Sequence, residues 1–161
     1  MKKFELTTNT KMFLGKKLFQ IKALISFGDV KAGELGGYIE KEENLSQTGD
    51  AWVSDNAMVS GDARVTGNAR VTGNAWVADD AWVTGNACYT TIKGFGREYR
   101  TTTFFKCKDG KVRVQCGCFY GDLEEFRAIV KETHGESKKA KEYLMIADLM
   151  ELHFEENEND K

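Results

Sequence analysis

From Thr48 to Tyr89 the chain repeats itself every six residues, seven times and without insertion: TGDAWV, SDNAMV, SGDARV, TGNARV, TGNAWV, ADDAWV, TGNACY. The fourth place of each unit is alanine, from Ala51 to Ala87, and the sixth is valine from Val53 to Val83, with Tyr89 closing the series. Side chains alternate across a strand, so alanine and valine share the inner face and the fifth residue points outward. Apolar residues spaced in this way do not trace the 3.6-residue stripe of a helix. Gly-Asn or Gly-Asp stands at the corner in five of the seven units, where glycine tolerates positive φ and the Asx side chain can satisfy nearby backbone groups. Corners every six residues predict a triangular coil of about eighteen residues, filled by small alanine and branched valine.

This spacing resembles the bacterial transferase hexapeptide-repeat superfamily. The resemblance implies a left-handed wind, against the usual right-handed crossover preference. Glycine here stands one place later than in the commonest form of that pattern. The expected fold class is therefore mainly β: a short left-handed parallel β-helix with N-terminal antiparallel strands and a C-terminal hairpin plus two α-helices. The segments expected are N-terminal strands over 1–35, the β-helix over 36–92, a loop and hairpin over 93–121, a helical segment over 122–154 and a disordered tail over 155–161.

The flanks carry their own signals. Phe4 to Leu6, Met12 to Leu14 and Leu18 to Ile25 read as short strands with a turn at Gly15-Lys16, and Gly36 to Gln47 as a degenerate first coil. Tyr99 to Lys106 and Lys111 to Cys116 flank Asp109-Gly110, a two-residue hairpin signal that sets Cys107 opposite Val112. Asp122, three residues ahead of Glu125, starts one helix with Leu123, Phe126, Ile129 and Val130 inward, and Gly135 ends it. Ser137 caps a second, with apolar residues on two of its faces.

Net charge is −2, from 23 basic and 25 acidic residues, so no broad positive field exists for an extended nucleic-acid backbone. The first residues lack the apolar run of a secretory signal, and no stretch of about 18 apolar residues could span a membrane. A cytoplasmic protein is expected, with Cys88, Cys107, Cys116 and Cys118 as reduced thiols. There is no proline, so turns fall to glycine, asparagine and aspartate.

The order of GELGGYIEKEENLS, the hexapeptides, CGCFYGDLEEF and KETHG also resembles small phage- and prophage-encoded hexapeptide-repeat proteins. That resemblance implies a mobile-element origin and action in a bacterial host's cytoplasm, and carries over no catalytic residue. Proteins of the implied fold trimerise with coils side by side and bind ligands between subunits, so a homotrimer is expected.

At eighteen-residue spacing the outward positions form three columns: Trp52, Arg70 and Cys88; Met58 and Trp76; Arg64 and Trp82. Exposed aromatics mark interfaces, and arginine beside tryptophan could hold a flat anion. Lys93, Arg97 and Arg100, interleaved with Phe95 and Tyr99, form a loop suited to phosphate. His134 is the one weak candidate for a general base, since no histidine falls within the repeat. Cys107, Cys116, Cys118 and His134 have zinc-binding atoms without a common zinc spacing. No cofactor or metal is expected. These features suggest a non-enzymatic phage-type protein that sequesters a nucleotide-like signal or binds a host defence protein. A hexapeptide-type acyltransferase and a structural or assembly module are the alternatives.

Overall fold

The computed structural model describes residues 1–155, a mainly β chain with two helices at the C-terminal end. Beyond Glu155, the expected tail lies outside the described residues. Strands β1 (Phe4–Phe13) and β2 (Lys16–Ala23) form an antiparallel hairpin around Leu14-Gly15. The first two strands expected here are thus one. Strand β3 (Leu35–Ile39) pairs antiparallel with β2.

The repeat supplies six strands of two residues each: β4 (Trp52–Val53), β5 (Met58–Val59), β6 (Arg64–Val65), β7 (Arg70–Val71), β8 (Trp76–Val77) and β9 (Trp82–Val83). They pair in parallel with the strand three units on: Trp52 with Arg70, Met58 with Trp76, Arg64 with Trp82. Four longer strands follow, β10 (Tyr89–Phe95), β11 (Arg100–Lys106), β12 (Val112–Cys116) and β13 (Phe119–Asp122), then helices α1 (Leu123–His134) and α2 (Lys138–His153).

The expected fold class is corrected by the sheet organisation. The β structure divides into a five-stranded mixed sheet in the order β1-β2-β3-β5-β8, a four-stranded antiparallel sheet of β10 to β13, and two two-stranded ladders, β4-β7 and β6-β9. The chain is a set of small mixed and antiparallel sheets with two helices, and the left-handed parallel β-helix is not its architecture. The physical reason lies in strand length. Each repeat strand pairs through only two positions, so β4-β7 and β6-β9 stay isolated and only β5-β8 joins a larger sheet, through β3, whereas the extended ladders are hairpins outside the repeat.

Within the repeat the local chemistry follows the sequence. Corner residues Gly49, Gly61, Gly67 and Gly73 have φ of 72°, 66°, 64° and 66°, and Asp55 and Asp79 take the same left-handed conformation at 57° and 60°. The alanines from Ala51 to Ala81 and the valines from Val53 to Val83 are all buried. Each valine contributes about 1.5–3 kcal/mol by burial.

The N-terminal strands pack on this core. Gly36 makes the approach possible: a Cβ there would lie 2.5 Å from the Val53 carbonyl and 2.7 Å from the Trp52 ring. On the other side, Phe105 of β11 and Cys107 just beyond it pack into the repeat core, while Phe104 of β11 and Val114 of β12 pack with the helices. The helix ends form as their caps dictate, with Asp122 accepting from Glu125 N at 2.8 Å and Ser137 from Ala140 N at 3.3 Å. Gly135 closes α1 at φ 59°. One register differs from expectation: Lys106 faces Val112, and Cys107 N donates to Lys111 O at 3.0 Å, because the turn takes in Lys108 as well as Asp109 and Gly110.

Candidate functional site

The loop between β10 and β11, the Cys116-Gly117-Cys118 turn, α1 and Tyr143 of α2 enclose a cleft of about 390 Å³. Phe95, Phe119, Phe126, Ile129 and Tyr143 supply its apolar walls. Arg97, Glu98, Arg100 and His134 supply its polar rim. Two glycines shape it. Gly96, at φ 78°, lies where any side chain would collide with the Tyr143 hydroxyl, so the loop closes directly onto α2. Gly117, at φ 60°, lies where a Cβ would meet the Arg100 guanidinium at 2.5 Å. The glycine of the CGC motif therefore leaves room for an arginine.

The aromatic walls interlock: Phe126 meets Tyr143 edge-on at 5.6 Å, Phe119 meets Phe126 at 5.8 Å, and His134 stacks on Tyr143 at 5.9 Å. Burial, and then the neighbouring Cys116, push the Tyr143 phenol above its ordinary value, so it stays a neutral donor. Thr102 donates to Cys116 Sγ at 3.3 Å. Among the described residues, ion pairs engage Lys2, Lys16, Lys41, Arg70, Arg113 and Arg127, while Arg97 and Arg100 have no such partner. The cleft thus offers two uncommitted guanidinium groups beside aromatic faces.

The cleft gathers Arg97, Arg100, His134, Cys116 and Cys118 from separate parts of the sequence. Lys93, on β10, is exposed and outside it. The outward columns fare differently. Trp52 is 1% exposed and meets the Phe27 ring at 5.4 Å; Trp76 is 7% exposed and meets Phe13 at 4.7 Å. Trp76 Nε1 also donates to Ser60 Oγ at 2.8 Å. These two tryptophans belong to the chain's own core, because the N-terminal segment covers the faces that the repeat alone leaves open. A side-by-side trimer loses two of its three columns. Arg70 is drawn into an ion pair with Asp29. Only Arg64 and Trp82, the latter 53% exposed, stand on an open surface.

A second polar cluster was not visible in the repeat. Oxygen and sulfur atoms of Asp79, Asp80 and Cys107 lie within 4.8 Å of one another where the repeat meets β11. Tyr120 Oη donates to Asp79 Oδ2 at 2.6 Å, and Arg113 Nε lies 3.9 Å from that oxygen. Burial, reinforced by Asp80, pushes the Cys107 thiol up to about 12. The donor set has metal-binding atoms, but Arg113 already answers the carboxylate charge and the thiol is held protonated. The cluster acts as a polar clasp between repeat and sheet. Its sequence signal is the ADDAWV unit, where aspartate replaces the corner glycine.

Neither comparison with protein-family models nor comparison with curated proteins finds a match for the chain.

Proposed function

We propose that the chain is a non-enzymatic binding protein for a small anion carrying a flat apolar group, and that a nucleotide-like signalling molecule is the class that fits. The observation that carries this reading is the pair of unpaired arginines, Arg97 and Arg100, on the rim of an aromatic cleft. Guanidinium groups bind phosphate through paired, charge-assisted hydrogen bonds, and a base gains from stacking on aromatic rings. The volume of about 390 Å³ falls in the range of small-molecule sites. Glu98 on the same rim disfavours a second anionic group at that point, which orients the ligand. His134, stacked on Tyr143, serves as wall rather than as base. In a bacterial cytoplasm, the setting that the resemblance to phage proteins suggests, such binding would withdraw a signal on which a host defence depends.

Calorimetry of the full chain against linear and cyclic nucleotides, with nucleosides as phosphate-free controls, tests this. Nucleotides bind and nucleosides do not. The variant Arg97→Glu/Arg100→Glu, altered only at exposed side chains, loses at least about tenfold in affinity, a conservative figure for two charge-assisted contacts. Absence of binding by every nucleotide, or equal affinity in the variant, would sink the reading.

A further inference from the structure

Helix α2 has an outer face that nothing in the described chain covers. Met145, Leu149 and Leu152 are 72%, 54% and 63% exposed, although the opposite face of the same helix buries Tyr143, Ile146, Ala147 and Met150. Their spacing of four and then three residues sets them in one stripe along the helix.

The charges beside the stripe run the wrong way for an isolated helix. Lys138, Lys139 and Lys141 occupy the N-terminal turns, where the helix dipole disfavours cations, and no acid stands in the first turn. Asp148, Glu151 and Glu155 fall at the other end, where anions are disfavoured. Arg127 of α1 partly offsets the acids, binding Asp148 and Glu151 at 3.0 Å each. The three lysines have no ion-pair partner among the described residues. An antiparallel helix of identical sequence meets both requirements. It covers the apolar stripe and lays an acidic end beside each lysine end.

We propose that α2 docks on α2 of a second copy, antiparallel about a two-fold axis, with Leu149 near its own mate, Met145 beside Leu152 of the other copy, and Lys141 near the other copy's Glu155. A two-fold contact of this kind is self-complementary and closes at a dimer. A bilayer is the poorer partner, because the acidic end of the stripe repels anionic lipid. The dimer is independent of the ligand cleft, whose wall from α2 is the opposite face, at Tyr143.

Sedimentation velocity of the full chain over a concentration series reads the association directly. The wild type shifts from monomer to dimer, and Leu149→Glu, at an exposed position, raises the half-association concentration by at least about tenfold through like charges meeting on the axis. Lys141→Glu and Glu155→Lys each weaken self-association, while an equimolar mixture of those two variants recovers it, because both cross-pairs are then of opposite sign. A monomer at every concentration, an oligomer indifferent to Leu149→Glu, or a mixture no tighter than its separate components would each overturn the proposal.

Discussion

Lys3 places its ammonium against the carbonyls of Ala51 at 2.8 Å and Gly49 at 3.3 Å, with the Phe27 ring 4.8 Å away and 1% of the residue exposed. It plugs the end of the repeat that the N-terminal hairpin covers. Burial lowers its pKa from 10.5 to about 8, against an opposing pull from Asp50. Between those values the folded chain holds fewer protons than the unfolded one, so this group makes stability rise with pH across that window and leaves it flat below. Chemical denaturation of wild type and Lys3→Met checks this. The difference between them moves in favour of wild type from about pH 8 to about pH 10, and a constant difference would mean that Lys3 stays charged throughout. A lysine at the third position reads as solvated in the sequence, since burial of lysine is rare and depends on distant carbonyls. The same holds for Asp79, whose partner Tyr120 comes from β13.

At the level of elements, what was legible is what local chemistry decides. Asp122, Gly135 and Ser137 stop and start the helices through hydrogen bonds and a positive φ within a few residues, and the Ala and Val positions fix the inner face of the repeat by alternation. What was not legible is which element covers which. The fifth positions are equivalent within the repeat, yet Trp76 is buried under Phe13 and Trp82 is half in solvent. Denaturant unfolding separates them. Trp76→Ala costs about 3–5 kcal/mol as a buried aromatic, and Trp82→Ala about 1 kcal/mol or less. Equal losses would place Trp82 in a core. Likewise, Arg97, Arg100, Cys116, Cys118 and His134 were each singled out for charge or reactivity, while Glu98 on the same rim was not. Their convergence depends on Gly96 and Gly117 letting two turns close over the helices, and spacing alone does not carry that information. The division of the β structure into separate sheets was hidden for a similar reason: a six-residue period gives the pairing offset but not whether ladders of two positions merge.

For the whole molecule, the sheet of β10 to β13 belongs to two cores at once, with Phe105 in one and Phe104 and Val114 in the other. This shared layer has a kinetic meaning. Its strands join neighbours through short turns, so it assembles early from contacts close in sequence, whereas Trp52 must find Arg70 and Met58 must find Trp76 across intervening units. The sheet then offers the repeat a finished surface on which to condense. Stopped-flow chevrons are expected to show Gly110→Ala, at φ 81° in the β11–β12 turn, chiefly slowing refolding, and Val71→Ala chiefly speeding unfolding; the opposite assignment would put the nucleus in the repeat. With no proline in 161 residues, that refolding runs without the tens-of-seconds isomerisation step that delays many β-rich chains. Its refolding traces are thus expected to show no slow phase that a prolyl isomerase accelerates.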